Sequence, residues 1–93
     1  MIRSVRDRRI DAILAGQTPK GFPTALVPAA RRKLYMLEHA AILADLRSPP
    51  GNRLEALKGD RIGQHSVRIN DQWRLCFRWR DGGAEEVEIA DYH

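Results

Sequence analysis

Two parts of the sequence carry side chains suited to chemistry on a phosphate. The chain ends in Asp91, Tyr92 and His93, which are an acid, a phenol and an imidazole, and Lys58 stands before a glycine in a polar stretch. Imidazole and carboxylate groups commonly move protons in catalysis, and lysine binds phosphate as a point charge. A terminal histidine alone would more often be a solvated tail, because chain ends usually fray. These residues form a site only if the fold holds them together.

Arginines recur in the alternating stretches "QHSVRI" and "QWRLCFRW". Alternation of apolar and polar residues predicts strands with one buried face, here carrying Trp73, Leu75, Phe77 and Trp79. The other face would carry Arg68, Arg74, Cys76, Arg78 and Arg80. Arg78 and Arg80 can pair with Glu86 and Glu88 across a hairpin at "RDGG", whereas Arg68 and Arg74 have fewer evident partners. Such a face can also bind phosphates.

Two amphipathic segments precede these strands and predict the helices that cover them. The first has Ile10, Ile13 and Leu14 at helical spacing, and Gly16 can end it. The second has Pro28 in its first turn and is expected to run on toward "ILADL". Its predicted apolar stripe consists of Val27, Ala30, Leu34, Leu37 and Ala41.

The predicted architecture is α+β, with two N-terminal helices packed on a small, mainly antiparallel sheet. "MIRSV" is the candidate first strand, so the expected order is β-α-α-β-β-β within a single domain of residues 1–93. The expected core contains Leu34, Leu37, Trp73, Leu75, Phe77 and Ile89.

The amino-acid composition indicates what kind of protein this is and what charge its partner carries. Hydrophobic residues make up 43% and charged residues 30% of the chain, which is typical of a soluble globular protein. No apolar run approaches a membrane span or a signal peptide, so we expect a cytoplasmic protein without a membrane partner. The net charge of +4 favours an anionic partner. His39, His65, His93 and Cys76 lack the spacing of metal ligands, so no metal site is expected.

Three motifs give the chain a family resemblance. "LKGDRIG", "VRINDQWR" and the terminal "DYH" resemble the HigB toxins of the RelE-like superfamily, and the likeness extends over most of the chain. The resemblance implies a RelE-like microbial ribonuclease fold and an endonuclease that cleaves messenger RNA on the ribosome, in the decoding site of the small subunit. It further implies that no metal or cofactor is used and that a HigA-like helix-turn-helix antitoxin holds the toxin inactive.

The resemblance also assigns residues to the site. The catalytic positions it implies are Lys58, Arg74, Asp91, Tyr92 and His93. Beside these positions, Arg68 and Arg78 on the basic face of the sheet, together with Glu55, are expected to contact the RNA. Glu55 stands where some family members carry a histidine, and His65 stands where an aromatic residue is frequent.

A second class of function stays open at this point. The chain could be a non-catalytic module that binds RNA or the ribosome, or a degenerate toxin that retains only its antitoxin interface. Cleavage of RNA would distinguish the enzyme from both. His39 is interpreted as a surface residue, and Trp73 and Trp79 as core residues in preference to stacking platforms for bases.

Overall fold

The computed structural model describes residues 1–91, so the predicted site residues Tyr92 and His93 lie outside the described residues. Within residues 1–91, two α-helices accompany a four-stranded antiparallel sheet, which confirms the predicted α+β class. The elements are α1 (Arg9–Leu14), α2 (Val27–His39), β1 (Glu55–Ala56), β2 (His65–Arg68), β3 (Trp73–Arg80) and β4 (Gly83–Asp91). The strands neighbour one another in chain order. No helix in this range is long and apolar enough to cross a membrane.

Both helices pack on one face of the sheet, where β3 supplies Phe77, the largest fully buried side chain among residues 1–91. Trp73 is buried beside Phe22, and their rings meet edge to face with centroids 5.0 Å apart. Trp79, at the far end of β3, is only half-buried. All six residues of the expected core are buried, as predicted: Leu34, Leu37, Trp73, Leu75, Phe77 and Ile89.

The N-terminal segment does not form the continuous strand that was predicted. It makes two isolated parallel bridges to β4, between Ile2 and Ala84 and between Val5 and Val87. β4 is irregular between these bridges, since Glu86 has a φ of 53° and the β3–β4 register shifts between Cys76 and Arg78. A bulge of this kind interrupts a ladder of hydrogen bonds. The segment still covers the outer edge of β4, which would otherwise expose unpaired backbone groups.

The prediction that the second helix continues toward "ILADL" is wrong. α2 ends at His39, and Ala40 is extended, with φ −68° and ψ 128°. The carboxylate of Asp45 accepts hydrogen bonds from the backbone N–H groups of Ala41 (2.9 Å) and Ile42 (3.1 Å). These bonds satisfy donors that a longer helix would have used, and they favour a turn. A 3-10 helix at Leu43–Arg47 follows.

The predicted hairpin turn between β3 and β4 is present at Asp81 and Gly82. Both have positive φ angles, 49° and 75°, and Arg80 pairs with Gly83 across the turn. This is the conformation that Asp-Gly favours in two-residue hairpins.

Charged side chains on the two strands of this hairpin form ion pairs. Arg78 pairs with Glu86 at 2.9 Å, as the sequence suggested. Arg80 instead faces Glu85 at 3.7 Å, and Glu88 pairs with Arg61. The expectation that Arg78 and Arg80 pair with Glu86 and Glu88 is therefore met for Arg78 and Glu86, whereas Arg80 and Glu88 have other partners.

Candidate functional site

Arg74 is the best-anchored cation on the face of the sheet that lies away from the helices. It occupies the second position of β3, next to the core residues Trp73 and Leu75. Its Nη1 donates a 2.7 Å hydrogen bond to the hydroxyl of Ser66 and a 3.4 Å hydrogen bond to the backbone carbonyl of Arg53. Glu55 lies 3.4 Å from the same nitrogen. The expectation that Arg74 has few partners is therefore wrong.

Strand pairing explains why these groups meet. Glu55 of β1 stands opposite Ser66 of β2, and Ser66 stands opposite Cys76 of β3, two residues beyond Arg74. Residues directly opposite each other in an antiparallel sheet point to the same face, as do residues two apart in one strand. Glu55, Ser66 and Arg74 therefore share one face, although they are far apart in sequence.

The acidic and basic members of this group differ in exposure. The Arg74 side chain is 14% exposed, whereas that of Glu55 is 53% exposed. A half-exposed carboxylate can turn into solvent at little cost, because exposed ion pairs contribute little stability. An incoming phosphate can thus replace Glu55 beside a guanidinium that stays in place.

Arg68 belongs to a second group of positive charges at the end of β2. Its guanidinium pairs with Asp71, which is almost fully exposed in the turn before β3. The hydrogen bond from Arg68 and the charge of its guanidinium lower the pKa of Asp71, and Arg53 adds to the effect. Among the described residues Arg68 has this one ion-pair partner, in line with the few that the sequence made evident.

Lys33 of α2 extends the same positive group. Its Nζ donates a 2.5 Å hydrogen bond to the side-chain oxygen of the buried Asn52. Burial, together with the positive charges of Arg32 and Arg68, lowers the pKa of Lys33. We call Arg32, Lys33, Arg53 and Arg68 the basic cluster. Sequence reasoning identified only Arg68, since the other members come from separate segments that the fold brings together.

Lys58 lies on an exposed loop between β1 and β2. The loop is held to the sheet through Arg61, whose Nη1 donates to Gln64 at 3.0 Å and pairs with Glu88 of β4. Within residues 1–91 the Lys58 ammonium makes no hydrogen bond or ion pair with protein. It is therefore an exposed cation on an anchored loop.

Arg78 lies on β3 near this loop. Its ion pair with Glu86 fixes the guanidinium, and its Nη1 lies 2.6 Å from where a β-carbon on Gly63 would stand. A β-carbon at this position would require the Arg78 guanidinium to move. Arg78 therefore borders the loop that carries Lys58.

Asp91 lies at the opposite edge of the sheet from Lys58. It ends β4 and pairs with Trp73, and its carboxylate accepts a 3.2 Å hydrogen bond from the side chain of Gln72. Lys58 follows Ala56, which stands level with His65 and Phe77. Asp91 is therefore level with Trp73, and the start of the Lys58 loop is level with Phe77. Along β3 these two levels are four residues apart, which is roughly 13 Å. Arg74, which pairs with Ala90 beside Asp91, lies between the two.

An open cleft of about 390 Å³ borders Glu55 at the outer edge of β1. Its walls are Leu43, Ala44, Arg47, Leu54, Glu55, Ala56 and His65. His65 is half-buried and stacks on Phe77 with ring centroids 6.4 Å apart. The cleft therefore offers apolar walls with a cationic, an acidic and an imidazole group at its rim, beside the Glu55–Arg74 pair.

His39, His65 and Cys76 do not form a common cluster among the described residues. His39 is exposed at the end of α2, in line with its interpretation as a surface residue, and Cys76 is fully buried. Among residues 1–91, no group of three or more histidine, cysteine or acidic side chains could hold a metal ion.

Comparisons with known proteins place the chain in a family. A family model described as a RelE-like toxin of the type II toxin-antitoxin system HigB matches residues 7–93. Toxin HigB-1 of Vibrio cholerae is 48% identical over 62 residues, which cover 67% of this chain and 65% of that protein. Endoribonuclease HigB of Proteus vulgaris is 27% identical over 93 residues, the full length of both chains.

A solved structure shares the fold. A chain of the YoeB-YefM complex from Staphylococcus aureus superposes with a TM-score of 0.63 and 17% identity, over all of this chain and 98% of that one. The fold and the family resemblance inferred from "LKGDRIG", "VRINDQWR" and "DYH" are thus confirmed. The chain belongs to the HigB family of RelE-like toxins of type II toxin-antitoxin systems.

Proposed function

We propose that this protein is the toxin of a type II toxin-antitoxin pair and acts in the cytoplasm as an endoribonuclease that cuts messenger RNA during translation. Membership of the HigB family supports the toxin role, and the name of the Proteus vulgaris relative supports the activity. The observation that carries the proposal is the Arg74 guanidinium, held by Ser66 and Arg53 on a basic face. A fixed guanidinium is suited to bind a phosphate and to stabilise charge that develops on it.

The reaction needs no group beyond those of the chain and its substrate. The 2′-hydroxyl of the RNA loses a proton and its oxygen attacks the adjacent phosphorus, while the 5′-oxygen leaves with a proton. Arg74 would stabilise the extra negative charge, and Lys58 would supply a second cation from its loop. Asp91, Tyr92 and His93 would orient the RNA and move the protons. Positioned acid–base groups typically contribute ~10²–10⁴-fold each.

Substrate binding would use the surface around Arg74. A phosphate would replace Glu55 beside the guanidinium, and Arg68 and Arg78 would contact neighbouring parts of the RNA. The cleft beside Glu55 is large enough for a base next to the bound phosphate. Because few groups on this small chain can order flexible RNA, we propose that the decoding site of the small ribosomal subunit presents the messenger RNA.

An antitoxin partner follows from the family, whose members belong to type II toxin-antitoxin systems. We propose a small helix-turn-helix protein of the HigA type, encoded beside this gene. Co-expression of that neighbour should restore growth and give a stable complex on gel filtration. If no neighbouring product both binds and rescues, this part of the proposal fails.

The test of activity compares ribosome-bound with naked messenger RNA. We expect cleavage in a translating ribosome and poor cleavage of the same RNA alone at equal toxin concentration. Arg74→Ala should lower the cleavage rate by about two orders of magnitude, the usual scale for loss of a group that stabilises the transition state. Mapping of RNA ends gives the rate, and magnesium must stay constant because ribosomes require it.

Arg80→Ala is the matched control. Arg80 is exposed at the hairpin end of β3 and only faces Glu85 at 3.7 Å, so its loss removes a charge without touching the site. Equal cleavage of naked RNA would contradict the ribosome-dependent reaction. Ribosome binding without any cleavage would instead support the non-catalytic module.

A further inference from the structure

Ser66 is the buried residue that contacts the proposed catalytic cation. It lies at the second position of β2 and its exposed fraction is 0%. The neighbouring strands surround it, with Glu55 opposite on β1 and Cys76 opposite on β3. Its hydroxyl accepts the 2.7 Å hydrogen bond from Nη1 of Arg74. This bond is shorter than the 3.4 Å contacts of the same nitrogen with Glu55 and Arg53.

These contacts of Nη1 differ in how firmly the partner group is held. Glu55 is half-exposed and sits on β1, an edge strand of only two residues. The Arg53 carbonyl belongs to a residue with a φ of 45°, at the end of a short 3-10 turn. Of these three residues, only Ser66 is paired with a strand on both sides and is excluded from water. Its hydroxyl is therefore the reference point that stays in place when RNA displaces Glu55.

We propose that Ser66 is a positioning residue, which fixes the direction of the Arg74 guanidinium toward the scissile phosphate. The inference rests on the proposed function, because it assigns Ser66 a role in that reaction through Arg74. A long arginine side chain has many rotamers, and a buried acceptor at its tip selects one of them before the substrate arrives. Pre-organised donors stabilise a transition state without having to reorient during the reaction.

The test uses Ser66→Ala and Ser66→Thr in the cleavage assay with ribosome-bound messenger RNA. Ser66→Ala should lower kcat by about 10- to 100-fold, the scale of one hydrogen bond to a charged group, with little change in KM. Ser66→Thr keeps the hydroxyl in a strand that suits a β-branched residue, so it should retain most of the activity. Thr18→Ala, which alters an exposed residue outside the site, serves as the control.

A double-mutant cycle separates positioning from simple loss of structure. In an Arg74→Ala background, followed in single turnover, Ser66→Ala should add no further loss, because its effect passes through Arg74. The proposal is overturned if Ser66→Ala causes the same loss of cleavage activity in both backgrounds. It is also overturned if Ser66→Ala alone keeps the parental kcat. Melting temperatures and antitoxin binding show whether each variant folds. Ser66→Cys, similar in size but a weaker acceptor, replaces Ser66→Ala if that variant does not fold.

The failure of this inference can be told apart from failure of the proposed function. If Arg74→Ala itself cleaves at the parental rate, the assignment of Arg74 to the reaction is wrong. If Arg74→Ala is impaired but Ser66→Ala is not, only the role of Ser66 is refuted.

Discussion

At the scale of single residues, the chain repeatedly uses one buried or partly buried acceptor to fix a long cation. Ser66 holds Arg74, Asn52 holds Lys33, and Asp7 holds Arg9. Asp7 does this most completely, because it accepts from the Arg9 side chain at 2.9 Å and from the backbone N–H of Ile89 at 3.2 Å. It therefore ties the start of α1 to β4, at the strand that leads to Asp91.

Asp7 should make stability depend on pH. Burial alone raises the pKa of Asp7, but its hydrogen bonds with the Arg9 side chain, Arg9 N–H and Ile89 N–H bring the pKa below its ordinary value of 3.8. A carboxylate with a lowered folded-state pKa adds stability above its unfolded pKa, and that stability disappears as pH falls through the folded value.

We expect Asp7→Ala to lower the free energy of unfolding by about 1–3 kcal/mol at neutral pH. The difference from the parent protein should shrink as pH falls below about 4, where the unfolded carboxyl becomes protonated. Denaturant melts between pH 3 and pH 7 measure this. Asp11→Ala, which removes an exposed acid on α1, is the control. A difference that stays constant with pH would show that the Asp7 charge is not what matters.

At the scale of elements, the sequence pattern predicted those helices and turns that depend on residues close together in the chain. The apolar spacing of Ile10 and Ile13 located α1, and Asp81-Gly82 located the hairpin turn. The end of α2 was missed because it depends on the Asp45 carboxylate, several residues beyond the helix. Glu55 was missed as a partner of Arg74 because it lies on β1, whose two residues carry no strand pattern.

The loop that carries Lys58 gives a prediction at this scale. Gly63 has a φ of +91°, and a β-carbon there would stand 2.6 Å from Arg78 Nη1. The guanidinium can move aside, but the backbone conformation is strained for any residue with a β-carbon. We expect Gly63→Ala to lower the free energy of unfolding by about 1–2 kcal/mol and to slow RNA cleavage, because the loop shifts against the sheet.

Gly51→Ala is the matched control for that change. No atom lies within 4 Å of a β-carbon built there, and its φ is outside the left-handed region. Denaturant melts and cleavage rates of the two variants should therefore differ. If Gly63→Ala is as stable and active as Gly51→Ala, the conformation of the Lys58 loop does not depend on this glycine.

At the scale of the whole molecule, the net charge of +4 is unevenly placed. The basic cluster of Arg32, Lys33, Arg53 and Arg68 lies where α2 meets the end of β2, and Asp71 is the acid that pairs with it. Positive charges that lower the pKa of Lys33 cost stability in the protein alone. A negatively charged partner would relieve this repulsion, which favours binding of RNA at a surface that adjoins Arg74, the cross-strand neighbour of Arg68.

Neutralising part of the basic cluster should weaken binding without slowing chemistry. We expect Arg32→Gln with Arg53→Gln to raise the Kd for ribosomes and to reduce the slope of log K against log salt by about one for each phosphate that is no longer neutralised. The cleavage rate at saturating ribosome should change little, since both substitutions keep Arg74 and its hydrogen bond to Ser66. Binding measured across a salt series, together with single-turnover cleavage, separates the two effects. Arg8→Gln with Lys20→Gln removes the same charge from exposed positions outside the cluster. An equal change of slope in this control would mean that net charge alone, and not the placement of the cluster, draws the protein to RNA.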